Sequence, residues 1–300
     1  MEKLFFLGCN YLQLDYLQRL RDIGFRIVGI DKNGSAPGKG LCDAFYQCGY
    51  NEYDRLVEIG KIEGFSGRDK VFTAASQFAH LGAARFASSF AIAYPSSESI
   101  QITLDKTMFY HHFEKLGVPI PDTYLVCNYE ELIQCIEESD IDGWLYLKSD
   151  FSKNPNYVYR IHCSEIKENT INWTKDRYLQ NNYVLQPEVE GVSLRINIYG
   201  NRFNVYDFET SKKTSTHNAE IETKGVLKAL QKISSSLGFK DWLVKFDVIL
   251  DQSNFVVLDI GIDPPSRMRS DAEARNLPFI EPYLEQYLLG EITYSESLDS

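Results

Sequence analysis

The stretch Lys245-Phe246-Asp247-Val248-Ile249-Leu250-Asp251-Gln252-Ser253-Asn254-Phe255-Val256-Val257-Leu258-Asp259-Ile260-Gly261 decides how this chain is read. Two runs of strand-forming residues, Leu243 to Leu250 and Phe255 to Ile260, flank the polar turn Asp251 to Asn254, which is a β-hairpin signal. Side chains alternate between the two faces of a strand, so Lys245 and Asp247 share one face of the first run. Asp259 lies on the antiparallel neighbour, where it comes opposite them, and one patch then holds a cation and two carboxylates. Without a counter-charge the carboxylates repel. A Mg2+ ion, which prefers oxygen ligands and commonly bridges substrate phosphates, resolves that repulsion. Asp263, just past the strand end, supplies another oxygen. The competing reading is a solvated hairpin in which Lys245 pairs with one acid for little gain.

Working outward, Tyr183 to Gln186, Ser193 to Gly200 and Arg202 to Glu209 alternate in polarity as strands do, and a helix is predicted from Ile221 to Leu237. Arg195 is in phase with Ser193 and Asn197, which points it toward the same cleft. Upstream, Thr103 to Leu116 has helical spacing, and Gly117-Val118-Pro119-Ile120-Pro121 ends it with glycine followed by prolines. Strands at Tyr124 to Val126, Trp144 to Lys148 and Tyr157 to Ile161, with a helix from Tyr129 to Glu138, make a small α+β unit. At the amino terminus, the strand Lys3 to Gly8, the helix Tyr11 to Ile23 and the strand Phe25 to Asp31 form a βαβ unit with a parallel sheet. Val71 to Thr73 and Ala91 to Tyr94 read as further strands. After Gly8 no second glycine occurs before Gly24, so the Gly-x-Gly-x-x-Gly pattern of dinucleotide binding is missing.

Three hundred residues call for two or three packed subdomains, and 44% hydrophobic with 24% charged residues is the profile of a folded enzyme. A formal charge of −11 argues against nucleic acid as a partner, because phosphate backbones are held by clustered Lys and Arg. No segment reaches membrane-spanning length, and the short apolar run after Met1 is broken by Cys9-Asn10. Six scattered cysteines suggest neither a zinc knuckle nor a disulfide framework, and they read as reduced thiols in a cytoplasmic protein. His111-His112 points to different sides of a helix and makes a poor metal clamp.

In order and spacing these motifs resemble the ATP-grasp superfamily over nearly the whole chain. The landmarks are Gly34-Ser35-Ala36-Pro37-Gly38 to Cys42-Asp43 after Asp31, then Leu104-Asp105-Lys106 with the Gly117 to Pro121 exit, then Lys148. Gln186-Pro187-Glu188-Val189-Glu190-Gly191 follows, and Lys245-x-Asp247 with Asp259-Ile260-Gly261 closes the series. The resemblance implies an α/β and α+β architecture: a Rossmann-like parallel-sheet domain over 1–102, then a two-subdomain ATP-grasp. Its lid, with a connecting helix, spans 103–182, and its metal-bearing subdomain spans 183–300.

It also implies ATP and Mg2+ as cofactors. Lys106 and Lys148 neutralise phosphate, the linker with Gln186, Glu188 and Val189 reads adenine, and Ser193 stands where the family often has an acid for ribose. Asp247 and Asp259 hold the metal, with Asp263 adding an oxygen, while Lys245 stabilises the transferred phosphoryl group. Arg267 and Arg269 follow the last strand, where they are placed to clamp phosphate or a substrate carboxylate, surface salt-bridging being the competing reading. The implied reaction joins a small-molecule carboxylate to an amine through an acyl phosphate, beneath a lid formed by Lys148 to Tyr157.

Two features depart from the family pattern. The loop after Lys148, from Ser149 to Asn156, has no glycine, and the asparagine usually found two residues after the last acid is Gly261. Carboxylation through carboxyphosphate, or nucleotide binding without turnover, are the alternative functions. A homodimer is the expected assembly among the alternatives.

Overall fold

The computed structural model describes residues 1–139, 141–149, 158–167, 182–199, 202–210, 214–239 and 242–263. Arg267, Arg269 and residues 150–157 of the expected lid lie outside them.

The chain opens with β1 (Lys3–Leu7), a 3-10 turn over Tyr11–Gln13, α1 (Leu14–Ile23) and β2 (Arg26–Asp31). Asn10 starts the turn by accepting from Leu12 N, and Gly24 ends α1 at φ 100°. Then come β3 (Ala44–Gln47), α2 (Tyr53–Ile62), β4 (Lys70–Thr73) and α3 (Gln77–Ser89). The four strands form a parallel sheet in the order β3-β2-β1-β4. Leu4, Phe5, Phe6 and Leu7 are all buried, as the strand of a sheet covered on both faces should be. Ala91 to Tyr94, expected as a strand, is not one: the chain turns there, with Ala91 at φ 55° and Ile92 N donating to Ala87 O. The fourth parallel strand is instead β3, only four residues long.

The helix expected from Thr103 to Leu116 is two helices, α4 (Ser97–Leu104) and α5 (Lys106–Lys115). Asp105 divides them. Its backbone is extended, and its side chain accepts from Met108 N, so one residue ends the first helix and caps the second. A smaller unit follows with β5 (Tyr124–Val126), α6 (Tyr129–Glu138), β6 (Trp144–Ser149), β7 (Val158–His162), α7 (Cys163–Lys167) and β8 (Tyr183–Pro187). Its sheet is antiparallel in the order β5-β8-β6-β7, packed on α6 through Leu132, Ile136, Leu145 and Leu147.

The last described part comprises β9 (Val192–Tyr199), β10 (Arg202–Asp207), α8 (Asn218–Thr223), α9 (Val226–Ser236), β11 (Val244–Leu250) and β12 (Phe255–Gly261). The single helix expected from Ile221 to Leu237 breaks at Lys224-Gly225, where Gly225 takes φ 71°. The sheet runs β10-β9-β11-β12, antiparallel throughout. One face buries Leu194, Ile196, Ile198, Phe246 and Val248 against Ile221, Leu230 and Ile233 of the helices. Strand alternation leaves Ser193, Arg195, Asn197, Lys245, Asp247 and Asp259 on the other face. The exit segment after α5 is tied to this sheet, since Val257 N donates to Pro119 O. Among the described residues the mixed α/β architecture thus has one parallel and two antiparallel four-stranded sheets.

Candidate active site

The hairpin places its charges by register. Asp247 on β11 lies opposite Asp259 on β12 and, across the other edge, opposite Arg195 on β9. Lys245 lies between Asn197 and Gly261. A bulge follows Asp247, so the ladder is interrupted beside the two facing carboxylates.

The charges are matched in pairs. Arg195 Nε and Nη2 donate to Oδ1 and Oδ2 of Asp247, each at 2.7 Å, in a bidentate fork. Lys245 Nζ donates to Asp263 Oδ2 at 2.7 Å. Asp259 Oδ1 accepts from Ile260 N at 2.8 Å. Burial pushes the Asp263 carboxyl up, but the neighbouring Lys245 ammonium outweighs it and holds the carboxyl below its ordinary value. Burial likewise opposes the charge on Arg195, and Asp247, reinforced by Asp259 and Asp263, more than restores it.

Gly261 is where the family pattern has asparagine, and the structure gives a steric reason for glycine. A Cβ at this position would lie 2.2 Å from Lys245 Cε, 3.1 Å from its Cγ and 3.1 Å from Gln77 Oε1. The Lys245 stem crosses the space a side chain would need on its way to Asp263. Gln77 closes the other side: its Oε1 accepts from Ile262 N at 3.1 Å while its Nε2 donates to Thr103 Oγ1. One turn further along α3, His80 is fully buried with Nδ1 2.7 Å from Tyr94 Oη, and its Nε2 has no hydrogen-bond partner among the described residues. Burial pushes His80 down to about 4, with Lys245 adding to the shift and Asp263 opposing it.

The smaller sheet contributes a different kind of network. Lys148 Nζ donates to Gln186 Oε1 at 2.6 Å across the β6–β8 ladder, and Gln186 Nε2 donates to Thr123 Oγ1 at 2.8 Å. Tyr110 Oη reaches both sheets, 3.3 Å from Gln186 Oε1 and donating at 2.8 Å to Leu258 O on β12. Lys106, the first residue of α5 and buried, sits one turn before Tyr110 on the same helix face. Burial, then the charge of Asp259, pushes the Tyr110 phenol up, so it stays a donor.

Three further residues named from the sequence are placed as follows. The Glu188 carboxylate is held by Arg160 through Nε and Nη2, both at 2.8 Å, and by Tyr146 Oη at 3.2 Å. It therefore sits one step from the Lys148–Gln186 pair. Val189 is half-buried in the β8–β9 link, and Ser193 stands opposite Ile249 at the start of β9. Sequence reasoning missed Tyr110, Thr123, Gln77 and His80. Only Tyr110 carried a signal, its four-residue spacing from Lys106.

Fit to a divalent cation can be tested on these donors. Among the described residues no three His, Cys, Asp or Glu side chains gather as a closed cage. Two facing carboxylates, Asp247 and Asp259, suit an ion such as Mg2+ that takes one or two carboxylates and completes its shell from phosphate and water.

No protein-family model matches the sequence, and no curated protein matches it. Solved structures do match. N5-carboxyaminoimidazole ribonucleotide synthetase from Thermotoga maritima aligns with a TM-score of 0.72 at 17% identity, covering 96% of this chain and 76% of that one. An L-amino acid ligase from Bacillus licheniformis gives 0.71 at 14% identity, covering 97% and 77%. The biotin carboxylase domain of 2-oxoglutarate carboxylase from Hydrogenobacter thermophilus, in complex with MgADP and bicarbonate, gives 0.70 at 13% identity, covering 98% and 71%. The chain has the fold of the ATP-grasp enzymes. No helix among the described residues is long and apolar enough to cross a membrane.

Proposed function

We propose that this chain is an ATP-dependent, ADP-forming ligase that activates a small-molecule carboxylate as an acyl phosphate and couples it to an amine. The observation that carries this reading is the shared sheet face on which Lys245, Asp247 and Asp259 stand in register. The Lys148–Gln186–Tyr110 network adjoins it through Leu258. The proposed division is 1–102, 103–182 and 183–300, with nucleotide between the second and third parts.

In this reading Lys106 and Lys148 neutralise phosphate, and Gln186, with the linker residues Glu188 and Val189, holds the adenine. Ser193 hydrogen-bonds the ribose. Asp247 and Asp259 hold Mg2+, whose chemistry when bound is to neutralise charge on the phosphate oxygens. Lys245, held by Asp263 at the edge of the same patch, stabilises the charge that develops on the transferred phosphoryl group. Asp263 then acts by aiming Lys245, and Arg267 is the proposed clamp for the carboxylate.

The test is ADP release with Mg-ATP against pooled carboxylates and amines, using Asp259→Ala as the blank. Substrate-dependent release by the wild type, reduced at least about 100-fold in the variant, is the expected result. Equal release by both proteins under every pool would sink the site. A second reading, carboxylation through carboxyphosphate, is supported by the bicarbonate in the biotin carboxylase neighbour. ADP release that requires bicarbonate and not an added carboxylate separates it from the first.

A further inference from the structure

Arg195 is the feature of this patch that neither the motif order nor the ligase reading requires. Its guanidinium holds both oxygens of Asp247 at 2.7 Å, and the two side chains are only 16% and 18% exposed. The cation also lies over the Phe208 ring, 5.4 Å from its centroid, which keeps it within reach of the sheet face. Lys245 holds Asp263 more loosely, through a single bond to Oδ2 at 2.7 Å. Two of the three acids expected to attend a divalent ion therefore already carry a tethered monovalent one. A fork of this kind uses the carboxylate directions that a metal would approach, and a dication beside it would meet the guanidinium charge at close range.

We propose that Arg195 is a built-in counter-ion that keeps Asp247 from taking up a divalent cation until a nucleoside triphosphate arrives, so that metal enters together with the nucleotide. The inference rests on the ligase reading for its nucleotide. A triphosphate offers Arg195 a second anion with paired oxygens that a guanidinium fork can hold, so the guanidinium exchanges partners when Asp247 turns to the metal. The ordinary role of such a contact is the reverse, in which a hydrogen-bonded neighbour orients a ligating carboxylate and strengthens metal binding. The two roles predict opposite signs for the same substitution.

The experiment uses the full chain and Mn2+ as the probe, with free Mn2+ followed by electron paramagnetic resonance in the absence of nucleotide. Arg195→Gln should bind Mn2+ more tightly than wild type by roughly ten- to a thousandfold, the scale on which a nearby like charge penalises a charged site. Arg195→Gln combined with Asp247→Asn should lose that gain, which locates it at Asp247. Arg195→Lys keeps the charge without the fork and should fall between. It also serves if the glutamine variant fails to give a cooperative melt.

Unchanged or weaker Mn2+ binding in both single variants overturns the proposal. A parallel titration with Mn2+ and a non-hydrolysable ATP analogue separates the two readings. If wild type takes up nucleotide but the variants gain no nucleotide-free Mn2+ binding, only the counter-ion role falls. If the variants gain it and no protein binds nucleotide, the ligase reading falls, and with it the nucleotide half of this proposal.

Discussion

The two sheets that face the candidate nucleotide site solve the problem of holding polar groups in opposite ways. On the smaller sheet, Lys148, Gln186, Thr123 and Tyr110 form a relay built around a neutral amide that is 1% exposed. On the larger sheet, full charges cancel in pairs, Arg195 with Asp247 and Lys245 with Asp263, at side chains that water still touches. In the relay one ammonium, Lys148, is held by a neutral amide oxygen, and the remaining members are uncharged. Paired charges are held in place by one another, and each is released when a stronger partner arrives. The first arrangement suits a surface that recognises an unchanging shape, and the second suits one that must reorganise around phosphate.

Breaking the pairs should therefore hurt more than breaking the relay. Asp247→Ala strands a mostly buried guanidinium and should lower unfolding free energy by about 3 kcal/mol, somewhat under a fully buried pair because both partners are partly wet. Urea denaturation measures it, and adding Arg195→Ala should restore part of the loss. A cost no larger than that of a surface pair would contradict the contrast.

The second test concerns His80, which borders the charged patch and has no counterpart on the smaller sheet. Its folded pKa of about 4 lies below the ordinary 6.5. Between those values the unfolded chain takes a proton that the folded protein refuses, so stability should fall as pH drops from 6.5 to 4. The loss should approach about 2–3 kcal/mol, and His80→Gln should flatten that part of the profile. Asp263, held below its ordinary value, contributes stability that is lost only as pH falls through a still lower range. A wild-type profile that is flat from pH 6.5 to 4 would remove the buried neutral histidine from the account.

On the relay side, Tyr110→Phe removes the donor to Leu258 O and should cost about 1–2 kcal/mol. It should also weaken ATP binding measured by calorimetry, while leaving the pH profile of stability unchanged. The smallest effect is expected from Gly261→Ala, which forces the Lys245 stem aside and loosens its bond to Asp263. About 1 kcal/mol of stability should go, with a shift in the Lys245 side-chain resonances as the sharper readout.

The hairpin, its turn and the shared face of Lys245 and Asp247 were legible because each depends on residues within a few positions of one another. So was the small unit around α6, whose helix spans the Tyr129 to Glu138 range read from spacing alone. Registers between distant strands were not. That Arg195 points toward the cleft follows from alternation, but that it meets Asp247, 52 positions away, depends on how β9 is set against β11. The break at Asp105 was hidden because the apolar spacing continues through it, and the cap that divides α4 from α5 is a single side chain acting on Met108 N. The relay escaped notice for a related reason: Tyr110, Thr123, Gln186 and Leu258 belong to four separate segments, and only packing brings them together.

Positions 245 and 261 behave as one unit of volume shared across a strand boundary. A residue with a side chain at 261 can be accommodated only if the one at 245 is shorter or leaves by another route. In this chain the long lysine at 245 is matched by the empty position at 261. A designer wishing to install a third oxygen ligand here must change both at once, and would give up the lysine's approach to Asp263 in doing so.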